Sequence, residues 1–121
     1  MFGSSSLIDI SPLRNLEELK ELCIAHSKVF DLGPLKDLSK LNFLSLWGCR
    51  ELRSLAPLAH LSSLKKLDLA ECSEVTDIGP LSKLVNLLDI RVVRCPGISD
   101  YGPLNGLPKL NKDYLMNTIF F

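Results

Sequence analysis

Residues 64–81 read LKKLDLAECSEVTDIGPL, and nearly the same wording stands 23 residues earlier and 23 residues later. Laid out at that period, Leu44, Leu67 and Ile90 form one column, Leu46, Leu69 and Val92 a second, and Cys49, Cys72 and Cys95 a third. The register continues through Leu52, Val75 and Ile98, through Pro57, Pro80 and Pro103, and through Leu58, Leu81 and Leu104. An earlier copy, Leu19 to Leu38, fits with one residue deleted between Ser27 and Leu32, and Ser27 takes the place of the later cysteines. Ahead of it, residues 7–13 (LIDISPL) match residues 75–81 (VTDIGPL), so the text opens in the middle of a repeat.

The pattern has a direct physical reading. In Leu67-Asp68-Leu69 two leucines alternate with a polar residue, as a half-buried strand requires: the leucines enter the core and Asp68 faces out. Each copy supplies one short strand, and all strands run the same way after a full coil of chain. Neighbouring copies therefore pair in parallel, ~4.8 Å apart, along one side of a solenoid. The return segment is Asp77-Ile78-Gly79-Pro80-Leu81-Ser82-Lys83-Leu84. Its proline has no N–H to donate and a φ suited to a first helical turn, while Leu81 and Leu84 share a face, so a short 3₁₀ or α turn is expected on the convex side. One copy cannot bury its own leucines; the stack makes the fold.

A period of about 20–29 residues carrying L-x-x-L-x-L and then Asn or Cys marks leucine-rich repeats, and the chain resembles that family over nearly its whole length. The D-I-G-P-L-x-x-L ending is similar to the internalin and phosphatase-regulator branch, here with cysteine in the asparagine position and 23 residues where that branch has about 22. The cysteine form is also similar to trypanosome repeat proteins described as adenylate cyclase regulators. The resemblance implies an α/β leucine-rich-repeat solenoid, with short parallel strands on the concave face and short 3₁₀/α turns on the convex face. The regulator branches imply a partner protein that is an enzyme.

The expected layout is a disordered start or cloning scar at 1–6, a partial N-terminal repeat at 7–18, four repeats over 19–110, and a C-terminal cap or association tail at 111–121. At that end Leu110 keeps register and Leu115 falls where Val92 predicts, but Asp113 occupies the position of Ile90. The apolar residues 115–121 (LMNTIFF) either fold back as a cap or offer a patch to a second chain, giving a homo-oligomer.

Composition removes several functions. At 121 residues, with 46% apolar and 23% charged, the chain is sized for one globular domain. Lys+Arg and Asp+Glu are both 14, so no net charge draws it to nucleic acid or to a membrane surface. Its apolar runs fall far short of the ~20 residues a spanning helix needs, and the MFGSSS start lacks the basic and apolar regions of a secretory signal. A cytoplasmic location is expected.

Chemistry is equally sparse. Three thiols in one column cannot all pair, and neither a C-x-x-C nor matched histidines accompany them, so neither a metal nor a disulfide is expected. The cysteine column reads as small buried side chains with weak S–H donors to nearby backbone. Cys23 aligns with Ser45, Asp68 and Arg91 on the outward face and is the more accessible thiol. His26 after a strand and His60 in a convex turn have no nucleophile or orienting carboxylate in sequence reach, and the repeat-spaced glycines are not a phosphate loop. No cofactor and no catalysis are expected.

Binding is favoured, because outward strand positions vary where inward ones do not. They form three columns: Glu21, Phe43, Lys66 and Asp89; Cys23, Ser45, Asp68 and Arg91; Ala25, Trp47, Ala70 and Val93. The one tryptophan stands between alanines that leave its indole room to project, with Phe43 on the same face. Such aromatics anchor protein interfaces. The candidate partner-binding residues are Phe43, Trp47, Lys66, Asp68, Asp89 and Arg91, in a non-catalytic protein-interaction module using the concave sheet. Two other readings stand beside this one: Lys66 with Asp89 and Asp68 with Arg91 satisfy each other as an exposed ladder, and Trp47 folds down over the sheet or buries itself against another copy of the protein. The alternative function is structural, a self-associating fragment of a longer repeat protein.

Overall fold

A computed structural model of the chain describes residues 9–113. The expected loose start at 1–6, and the part of the expected cap beyond residue 113, lie outside the described residues. Four strands, β1 (Glu21–Cys23), β2 (Phe43–Ser45), β3 (Lys66–Asp68) and β4 (Asp89–Arg91), form one parallel sheet in the order β1-β2-β3-β4. Leu22 pairs with Leu44, Leu44 with Leu67, and Leu67 with Ile90, which is the register the repeat dictates.

The strands are only three residues long because their partners reach further than their pleat. Beyond each strand the chain keeps donating N–H groups to the following coil: Ile24 N to Ser45 O at 3.0 Å, Leu46 N to Asp68 O at 2.8 Å, Leu69 N to Arg91 O at 2.8 Å. His26, Gly48 and Glu71 donate likewise to Trp47, Ala70 and Val93. His26, Gly48, Glu71 and Arg94 then take φ values of 58°, 72°, 60° and 57°. This left-handed step is at a single point of every coil, and it ends the ladder by turning the chain into the core.

Next inward come Ser27, Cys49, Cys72 and Cys95, all buried. Their role is specific: Cys49 Sγ donates to Ile24 O at 3.1 Å, Cys72 Sγ to Leu46 O at 3.0 Å and Cys95 Sγ to Leu69 O at 2.9 Å. Each thiol thus serves a carbonyl of the preceding coil, and all four cysteines are free. Burial drives the Cys49, Cys72 and Cys95 thiols upward in pKa, since a thiolate there would lose its hydration.

Among the described residues the return side consists of five 3₁₀ turns, at Ser11–Leu13, Gly33–Leu35, Ala56–His60, Gly79–Lys83 and Gly102–Leu104, each with proline near its start. At three to five residues they are too short to close an α-helical ladder. Asp9, Asp31, Asp77 and Asp100 accept the N–H two residues on, and Ser54 does the same for Ala56. That side-chain acceptor explains the D-x-G/S spelling: it fixes where the turn begins. Glycine is not required by φ, because serine and alanine occupy the same place in two turns.

The core is a set of leucine columns shared by successive coils. Between Leu44 and Leu64 alone, Leu44, Leu46, Leu52, Leu58, Leu61 and Leu64 are fully buried. Burying one such side chain stabilises by ~1.5–3 kcal/mol, and here the covering atoms come from the coils on either side. No helix among the described residues is long and apolar enough to cross a membrane.

Candidate functional site on the sheet face

The sheet face is built from the positions between the inward leucines. Phe43 is half-buried beside Glu21 and Lys66 in register, and Lys66 beside Asp89. Asp68 and Arg91 are also partners in register, and Arg91 Nη1 approaches Asp68 Oδ2 at 3.1 Å. Of the two charge pairs expected across β3 and β4, only Asp68 and Arg91 close an ion pair. Asp68 has a second bond, from Ala70 N at 2.9 Å, which explains why its side chain is held while Lys66 and Asp89 extend into solvent.

The outward columns are less uniform than alternation predicts. Ser45, in the column of Asp68, is buried, and so are Ala25, Ala70 and Val93 in the column of Trp47. That third column stands past the strand, next to the left-handed step, where the chain is already turning inward. The small residues there are part of the wall. Trp47 alone stays accessible, at 36%.

Trp47 does not simply project. The His26 ring of the preceding coil meets it edge-on, with centroids 4.5 Å apart and planes at 62°. The Arg91 guanidinium stands 5.8 Å from its centroid, within reach of a cation–π attraction. The indole N–H, together with Arg94 and Arg50, holds the Glu71 carboxyl below its ordinary pKa. Glu71 in turn receives Arg50 at 3.1 Å and Arg94 at 3.2 Å. The indole is therefore gripped from several coils, which lowers the entropy it would lose against a partner.

Three members of this cluster, His26, Gly48 and Glu71, did not figure among the sequence candidates. A Cβ on Gly48 would come within 2.5 Å of His26 Nδ1 and 2.8 Å of His26 Cε1, so glycine is what lets the imidazole seat itself. The available signal was one glycine among His26, Glu71 and Arg94 in a single column, placed just after the only tryptophan.

Chemically the face offers aromatic surface, paired charges and hydrogen-bonding groups. Among the described residues no group of three or more His, Cys, Asp or Glu could hold a metal ion. His60 ends a 3₁₀ turn on the return side, whereas His26 is committed to Trp47. Cys23 is partly accessible on β1.

No protein-family model and no curated protein matches the chain. Among solved structures, it is similar to internalin C2 from Listeria monocytogenes, at 22% identity and a TM-score of 0.54, over 87% of this chain and 65% of that one. It is also similar to the internalin InlF of the same bacterium, at 22% identity and a TM-score of 0.52, over 90% of this chain and 44% of that one. The chain spans less than two thirds of the length of either. At this identity the likeness concerns the fold, a leucine-rich-repeat solenoid.

Proposed function

We propose that this leucine-rich-repeat chain is a non-catalytic interaction module that holds a partner protein against its sheet face, through Phe43, Trp47, Lys66, Asp68, Asp89 and Arg91. The observation that carries the reading is Trp47: a large accessible aromatic, fixed by His26 on one side and faced by the Arg91 guanidinium on another. Trp and Arg are the residue types enriched where truncation weakens binding most, and a pre-positioned side chain gives up little freedom on contact. The likeness of the repeat ending to phosphatase-regulator repeats, and of the cysteine form to cyclase-regulator repeats, favours an enzyme as the partner, an analogy at the level of fold. Four free cysteines favour a reducing, cytoplasmic setting.

The test is the double variant Trp47→Ala/Arg91→Ala. After its thermal unfolding is checked against wild type, partner recovery from lysate is compared. Loss of a partner that wild type retains is expected; equal recovery by the folded variant removes the sheet face from the account.

A second reading is self-association by stacking. The surface that favours it is an open groove of about 530 Å³ that runs from the β4 coil back over the two coils before it, lined by Val92, Pro96, Ile98 and Tyr101 together with Arg50, Glu71 and Arg94. Sedimentation velocity over a range of concentrations separates the two readings, since stacking predicts a mass that rises with concentration.

A further inference from the structure

The rim where the return turns enter the strands carries charge of one sign. A groove of about 530 Å³ there is lined by Lys20, Lys40, Lys65 and Lys109 with Asn42, Ser63 and Asn86, and by no carboxylate. In a chain whose charges sum to zero, this is a marked local excess. It follows from the stack: Lys20 and Lys65 lie in one column, two coils apart, and Lys40 and Lys109 in another. The polar groups beneath are already occupied. Asn42, Lys65 and Leu88 N–H groups are satisfied by carbonyls of the preceding coil, and Asn86 bridges Ser62 O and Lys109 Nζ. Lys40 is partly neutralised by Glu18 at 2.8 Å, but Lys20 and Lys65 close no ion pair among the described residues.

A second groove, of about 340 Å³, adjoins the first and shares Asn42 and Lys65 with it. It adds Phe43, Leu88, Lys66 and Glu21. Leu88 is 37% exposed, an apolar side chain set among the cations. Lysines flanking an apolar step of Phe43 and Leu88 describe the complement of an acidic chain segment that also carries an apolar side chain.

We infer that the lysine rim and the Phe43–Leu88 step together receive an acidic, partly apolar segment of a protein partner, its carboxylates on Lys20 and Lys65 and its apolar side chain against Phe43 and Leu88. The inference deepens the sheet-face reading by naming the chemistry of the same partner. Lysine ammonium groups attract any polyanion, but the apolar step favours a peptide over a phosphate backbone, which has no aliphatic side chain to place there.

The probe is a short fluorescein-labelled peptide alternating glutamate pairs with leucine, bound to the full chain and followed by anisotropy at low and high salt. A lysine-for-glutamate peptide, an oligothymidylate and phosphatidylserine-containing vesicles are run beside it. The acidic peptide should bind, and should weaken as salt screens the lysines. Lys20→Glu/Lys65→Glu should weaken it by roughly tenfold or more, Lys20→Gln/Lys65→Gln by less, and Phe43→Ala by roughly threefold or more. Of the three substituted positions, Lys20 and Lys65 are exposed and Phe43 is half-buried on the sheet side, and thermal unfolding verifies each variant. Unchanged affinity in the lysine-reversal variant, no binding of the acidic peptide, or tighter binding of oligothymidylate or vesicles would each overturn the assignment. If lysine reversal leaves peptide binding unchanged while Trp47→Ala/Arg91→Ala still loses its captured partner, the rim fails and the sheet face stands. The opposite pair of results leaves the rim standing alone.

Discussion

Replacing Gly48 with alanine should destabilise the protein by about 1.5–3.5 kcal/mol, a sum worked from two separate contributions. Gly48 has φ of 72°, and an L-residue held in the left-handed region costs ~1–2 kcal/mol. The new Cβ would also stand 2.5, 2.8 and 3.3 Å from three atoms of the His26 ring, so the ring must move as a body and not at its tip alone. Moving it breaks the edge-on packing on Trp47, worth ~0.5–1.5 kcal/mol. Urea unfolding followed through Trp47, the only tryptophan, measures the total, and a melting point lower by roughly 6–14 °C should accompany it. Repeating the substitution in a His26→Ala background isolates the second contribution, because there the methyl group meets no ring. The cost should then fall toward ~1–2 kcal/mol, leaving a coupling of ~0.5–1.5 kcal/mol between the two sites. An identical cost in both backgrounds, or none in either, would refute the proposed seat of the imidazole.

Thiol labelling of the native protein should modify Cys23 within the time course of an accessible thiol while Cys49, Cys72 and Cys95 resist until denaturant is added, as mass spectrometry would show. Because burial raises those three thiols, the folded state keeps its protons at alkaline pH while the unfolded chain loses them above ~8.5. Stability should therefore fall as pH rises through that point, with a slope approaching ~4 kcal/mol per pH unit if all three contribute; denaturant midpoints that stay flat from pH 8 to 10 would contradict the buried ladder. Glu71 is lowered by the indole N–H and its arginines, so whatever it contributes is present above the ordinary glutamate pKa of ~4.3 and is lost as pH falls through its depressed value. An acid step in Trp47 fluorescence below pH ~4.3, absent in Glu71→Gln, is the expected signature.

The path of the chain was readable because the period assigns every apolar residue a column. Leu44, Leu67 and Ile90 align in the text and pair in the sheet. The return turns were readable as helical but not as 3₁₀ alone, since proline marks the start of either and only the short span decides between them. Alternation misjudged the column of Ala25, Ala70 and Val93, because two-residue periodicity describes a strand and these strands last three residues; Ser45 lies inside β2 and is buried all the same, its short side chain staying close to the backbone, where Trp47 N donates to its Oγ at 3.5 Å. The cysteines could be placed inside, but not their acceptors: which carbonyl lies above a thiol depends on the rise from coil to coil. Trp47 was legible as an aromatic on the right face. Its grip by His26 and Glu71 was not, since their side chains approach it across coil boundaries that the text does not mark.

The column arrangement also bears on how such a molecule can change length over generations. A coil meets only the coil before and the coil after, and each meeting surface is the same row of leucines. Copying one whole unit within the gene would create a joint that the molecule already contains several times over, and deleting one would restore another. The single-residue slip between the described coils lies between Ser27 and Leu32, outside the strands, where Lys28 to Phe30 makes do with one residue fewer than Arg50 to Arg53. The same slip inside a strand would point its leucines at water, so a lineage is free to edit this wall by the brick and at its mortar lines, and nowhere else.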